Sequence, residues 1–112
     1  MMYKKYTLLE PIEVGRDELF TPRAKWAKTG DIWGLMDYQS GDNRQDVHRT
    51  FHPDSTHVFI TDGMPEYAIT VFHQLVSQTG DKYLIHYVDN VSEVDDHLEV
   101  YCKKMGDDHV HI

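Results

Sequence analysis

The sequence predicts an α+β domain, a mixed sheet of about five strands with two helices packed mostly on one face. Three observations carry that expectation. The stretches 65–79 and 91–105 gather apolar residues at a helical period. Runs rich in β-branched and aromatic residues precede each of them. Turn-forming residues also punctuate the chain, at Thr29-Gly30-Asp31, Ser40-Gly41-Asp42-Asn43, Pro53-Asp54-Ser55, Asp62-Gly63, Thr79-Gly80-Asp81 and Asp89-Asn90.

Residues 1–56 read mainly as strand: Tyr6–Val14, Asp31–Tyr38 and Asp46–Phe51, the last two joined as a hairpin by 40–43. The segment RDELFTPRAKWAKTG (16–30) shows no clear period and reads as loop, with room for one helical turn. Residues 57–105 read as β-α-β-α. Strand His57–Thr61 leads into a helix over 65–79, where Tyr67, Ala68, Ile69, Val71, Phe72, Leu75 and Val76 share half of the helical wheel. Pro65 suits its first position and Gly80 its left-handed stop. Strand Lys82–Val88 follows. In the second helix, Val91, Val94, Leu98, Tyr101, Cys102 and Met105 form the inner stripe, and only Val100 falls on the wrong side. Asn90 or Ser92 can cap its start, with Glu93, Asp95 and Asp96 in the first turn and Lys103 and Lys104 in the last, as the helix dipole favours. Residues 106–112 form a tail.

A chain of 112 residues with 40% apolar and 27% charged residues is expected to be a single folded domain. No apolar run is long enough for a signal peptide or a membrane span, so a cytoplasmic protein without membrane association is expected. Cys102 is the sole cysteine, which excludes an internal disulfide and any cysteine-based zinc cluster. The net charge of −8 is uneven, because the first 28 residues carry +2 and the remainder −10. Such a remainder repels phosphate backbones and disfavours nucleic acid as a partner. A basic protein surface suits it better.

Four constellations are candidates for chemistry. In HRTFHPDSTH (48–57), the spacing of His48 and His52 matches zinc ligands on a helix, but Pro53 pushes His52 out of helical conformation. His48, His52 and His57 therefore read as turn and strand histidines, with acid/base catalysis as the alternative. His48-Arg49-Thr50 also lacks the second His-x-Thr or His-x-Ser that a two-motif phosphoesterase needs. Asp62 and Asp89 each end a predicted strand, so in adjacent parallel strands they could share a magnesium or zinc ion; as helix caps they need none. His109 and His111 in the tail could chelate a metal weakly. Finally, Arg23-Ala24-Lys25-Trp26-Ala27-Lys28 sets an aromatic ring within a basic run.

Two function classes follow. The favoured one is a small acidic binding module of inhibitor, immunity or adaptor type, which occludes a basic site on a partner protein and needs no cofactor. Its contacts would be Asp42, Asp46, Asp54, Asp95, Asp96, Glu99 and Trp26. The alternative is a divalent-metal phosphoesterase or nuclease-like hydrolase, with Asp62 and Asp89 holding the ion and a histidine as acid/base. A homodimeric accessory role and a viral or mobile-element origin are further expectations from size and acidity.

Overall fold

The computed structural model describes residues 2–16, 19, 22–38, 55–90, 93 and 95–106. They form six strands: β1 (Lys4–Arg16), β2 (Pro22–Tyr38), β3 (His57–Thr61), β4 (Gln74–Val76), β5 (Lys82–Asn90) and β6 (Leu98–Lys104). These close into a barrel in the order β1-β2-β3-β6-β5-β4, with every neighbouring pair antiparallel. Closure leaves the barrel wall without an edge strand.

Period-two alternation fills the interior. Tyr6 and Leu8 of β1, Ile32 of β2, Phe59 of β3, Leu75 of β4, Tyr83 and Ile85 of β5, and Leu98, Val100 and Cys102 of β6 form one buried cluster. Tyr6 meets Phe59 edge-on at 4.8 Å between ring centroids, the arrangement the ring quadrupoles prefer. Gly34 makes room for Phe59: a Cβ there would lie 2.5 Å from the ring and 2.4 Å from the Ile60 carbonyl oxygen. On the opposite face of β3 and β6, Val58 and Tyr101 are also wholly buried. The Tyr101 hydroxyl donates to Glu99 Oε1 at 2.8 Å, and its ring stacks obliquely against Tyr87.

The α+β expectation is overturned: among the described residues there is no α-helix, and the sheet is closed and antiparallel rather than mixed. Residues 65–79 are a loop followed by the short strand β4. The loop carries the chain from β3 to β4 on the far side of the barrel and covers one mouth, burying Ile69 in the core cluster with Tyr67 packed against it. The Tyr67 ring lies directly over Gly30, where any Cβ would collide with it. Val71 and Phe72, counted on the inner face of the expected helix, are exposed. Of 91–105, the described residues include a turn (93, 95 and 96) and strand β6. Asn90 closes that turn, donating to Asp95 Oδ1 at 2.7 Å and accepting from the Asp95 amide at 3.3 Å. Glu93 and Asp95 take positive φ of 55° and 56°, outside the right-handed helical region. Gly80 is left-handed as expected, at φ +93°, but within the β4–β5 turn.

The strand readings 57–61 and 82–88 coincide with β3 and with most of β5. Tyr6–Val14 and Asp31–Tyr38 fall within β1 and β2, but β2 begins at Pro22, so most of the segment read as loop is strand. The expected strand Asp46–Phe51 lies outside the described residues.

That extension gives the molecule its most prominent feature. β1 meets β4 only at Thr7–Leu9 and β2 meets β3 only at Gly34–Tyr38, yet β1 and β2 pair with each other out to Arg16↔Pro22. The outer hairpin, 10–16 against 22–27, stands beyond the barrel as a two-stranded arm. At ~3.3 Å per residue its seven β1 positions reach roughly 23 Å.

Candidate functional site

The two ends of the barrel differ in charge. At the end from which the arm projects, β3 finishes, β5 finishes and β6 begins. The residues gathered there, 28–33, 61–73 and 89–99, include eight carboxylates (Asp31, Asp62, Glu66, Asp89, Glu93, Asp95, Asp96 and Glu99) and a single lysine, Lys28. At the other end, the described residues present Lys4, Lys82, Lys103 and Lys104 against Asp37 and Asp81, while Lys5 stands directly across the ladder from Trp33.

Large apolar side chains are exposed beside the carboxylates. Trp33 and Met64 flank a groove of about 330 Å³ that also takes in Asp31, Asp62, Glu66 and Tyr67. Trp33 is 52% exposed, because alternation turns Ile32 and Gly34 inward and Trp33 out. Val71 and Phe72 protrude from the mouth-covering loop, while Ile12, Val14, Leu19 and Trp26 are exposed along the arm. This assembly of acid, aromatics and a projecting ribbon is suited to holding another protein.

Thr61 fixes the groove wall. Its hydroxyl accepts the Leu98 amide at 2.8 Å and donates to the Gly63 carbonyl at 2.7 Å, tying the end of β3 to β6 and to the turn that carries Asp62. Gly63 takes φ +75°, which a side chain would strain. Asp62 is further held through its amide, which donates to the Trp33 carbonyl at 2.9 Å.

Of the residues singled out from sequence, Asp95, Asp96 and Glu99 fall at this acidic end and Trp26 on the arm. Asp42, Asp46, Asp54, His48, His52, His109 and His111 lie outside the described residues. Asp62 and Asp89 share the acidic end but are not on adjacent strands: β6 runs between β3 and β5, which sets the two backbones about 10 Å apart. Among the described residues no group of three or more His, Cys, Asp or Glu side chains is placed to hold a metal ion. Trp33, Met64, Glu66 and Phe72 were not singled out as contacts. Only the strict alternation of Ile32, Trp33 and Gly34 could have drawn attention to the first of them.

His57 sits at the opposite end of β3 from Asp62. Its ring is wedged edge-on between Tyr38 and Tyr83, at 5.4 and 5.3 Å, with Nδ1 2.8 Å from Thr56 Oγ1. Burial, and then the Lys104 ammonium, lower its pKa below the ordinary 6.5. Burial raises Tyr83 to about 12 and the Cys102 thiol to about 12 as well. A thiol so disposed packs rather than reacts.

The fold and this surface define a class: a small closed six-stranded antiparallel barrel with a long hairpin arm. A chain from a solved structure described as "Virion of native gene transfer agent (GTA) particle" has a similar fold. The two superpose with a TM-score of 0.60 over 91% of this chain and 94% of that one, at 16% sequence identity. Identity at that level establishes likeness of fold. No protein-family model and no curated protein sequence matches the chain.

Proposed function

We propose that this protein is a structural subunit of a phage-like particle, binding protein neighbours through its arm and acidic end. The observation that carries the reading is the fold likeness to a virion chain along nearly the whole of both chains. The surface supports it independently, since eight carboxylates and exposed aromatics concentrate beside a projecting ribbon. Carboxylates at such an end steer a basic surface into register, and Trp26, Trp33 and Phe72 supply apolar anchors once water is expelled. The partner is a protein surface rich in lysine and arginine, contacted through Asp62, Glu66, Asp95, Asp96 and Glu99.

The test is co-purification. Particles from source cells, separated on a density gradient and digested for mass spectrometry, should contain the chain at a fixed ratio to the other particle proteins. Reversing Asp95, Asp96 and Glu99 to lysine should reduce its incorporation. Particles assembled normally without the chain, with the chain remaining wholly in the soluble fraction, would refute the assignment.

A further inference from the structure

We infer that copies of this chain join by inserting the arm of one into the acidic groove of the next, a contact that deepens the structural role above and rests on it. The groove is lined by Asp62 and Glu66 together with the exposed Trp33 and Met64. Among the described residues no cationic side chain pairs with Asp62 or Glu66. Lys28 reaches only Asp31, at 3.1 Å, in an exposed pair of the kind that contributes little.

The arm carries a local complement. Its β2 half, 22–27, contains Arg23 and Lys25 and no carboxylate, while its β1 half carries Glu10 and Glu13 together with Arg16. Opposite Lys25 in the ladder is Ile12, exposed on the same face, so one face of the ribbon offers a cation beside an apolar side chain. The groove offers carboxylates beside an indole, which a lysine ammonium satisfies through both ion pairing and the π face.

A chain cannot make this contact with itself. The β1–β2 ladder, bulged at Leu8/Leu9 and Glu13/Gly15, carries the arm out beyond the barrel, and Lys25 stands three residues beyond Lys28, roughly 10 Å farther along the strand from the chain's own groove. A neighbour can. Arm and groove belong to the same end of the barrel, so copies standing side by side with parallel axes bring one arm across the next groove. The arm's reach of roughly 23 Å spans a six-stranded barrel whose backbone diameter is ~12 Å. The contact joins two different surfaces, so it is heterologous and propagates into a ring or a filament rather than stopping at a dimer.

Complementary variants test it. By light scattering after size exclusion, the wild-type chain should form species larger than a dimer at low salt and fewer of them at ~1 M salt. Ile12→Ser/Lys25→Glu lacks the arm contact and Asp62→Lys/Glu66→Lys lacks the groove contact. All four positions are exposed, so circular dichroism should be unchanged, and each variant alone should be monomeric. Mixed together they should form a heterodimer and nothing larger, because one intact arm then meets one intact groove. A wild-type chain that stays monomeric at ~0.5 mM overturns the inference, since interfaces of ordinary affinity are saturated there. Variants that associate like wild type, or a mixture without heterodimer, also overturn it. As a check that does not depend on charge reversal, a Lys25→Cys/Glu66→Cys chain treated with a short bismaleimide should give a ladder of covalent oligomers. Monomer alone would count against the contact. Particle incorporation without self-association would remove this contact and leave the subunit role standing.

Discussion

Gly34 is where the barrel wall is most tightly committed to one residue. Replacing it with alanine places a methyl group 2.4 Å from the Ile60 carbonyl oxygen and 2.5 and 2.8 Å from two carbons of the Phe59 ring. All three separations are far inside van der Waals contact, so something must move. The carbonyl belongs to β3, which pairs with Gly34 through Thr61, and can retreat only if β2 and β3 separate. Phe59 is wholly buried and held edge-on by Tyr6, so its ring has nowhere to swing without disturbing the core. Overpacking of this kind costs about 1–3 kcal/mol, and the rigid backbone neighbour puts Gly34→Ala near the top, at ~3 kcal/mol. For a domain of this size that lowers Tm by roughly 10 °C. Urea unfolding followed by tyrosine and tryptophan fluorescence measures it. The double variant Gly34→Ala/Phe59→Leu should be less destabilised than the sum of its parts, because the smaller side chain yields part of the contested space. A Gly34→Ala protein within about 0.5 kcal/mol of wild type would show that the strands yield freely and that the packing argument is wrong.

Two further outcomes follow from the same geometry. Thr61→Val keeps the shape but leaves the buried Leu98 amide without its acceptor, and should cost about 1–3 kcal/mol in a denaturant titration, whereas Thr61→Ser should recover most of it. Stability should fall at both extremes of pH. Below 6.5 the unfolded chain protonates His57 while the folded chain resists, so acidification favours unfolding, and His57→Phe should flatten that limb of the profile. Above about pH 9 the unfolded chain releases the Cys102 proton while the folded chain holds it to about 12, a slope of up to ~1.4 kcal/mol per pH unit that Cys102→Ala should remove.

The sequence made some of this architecture legible and hid the rest for physical reasons. Buried strands announced themselves: HVFIT and KYLIHYV are β-branched and aromatic because both become barrel wall. The arm was silent because it has no buried face. Leu19, Lys25, Trp26 and Lys28 of RDELFTPRAKWAKTG are exposed, so burial imposes no periodicity on them. The two expected helices were coincidences of spacing. In 65–79 the apolar residues serve three separate ends: Tyr67 and Ile69 cover the mouth, Val71 and Phe72 face solvent, and Leu75 enters the core. In 91–105 the misplaced Val100 was the telling residue. Leu98, Val100 and Cys102 alternate inward with Glu99, Tyr101 and Lys103 between them, and only a strand puts Val100 inside. The acidic excess was visible in composition. Its concentration at one end was not, because Asp31, Asp62, Asp89 and Asp95 come together only through the order of the strands.

That order also settles where the cylinder is weakest. β4 closes it, yet it is held to β1 and to β5 by three residue pairs on each side, fewer than in any other ladder of the described residues. Its partners in β1 lie most of the chain away, so the seam carries the largest loop-closure cost and is the last ladder to zip during folding. The wall should consequently open there first, and hydrogen exchange should be faster at Gln74–Val76 than at Phe59 or Val100. The lifetime of the closed barrel is then governed by one short staple rather than by the bulk of its core.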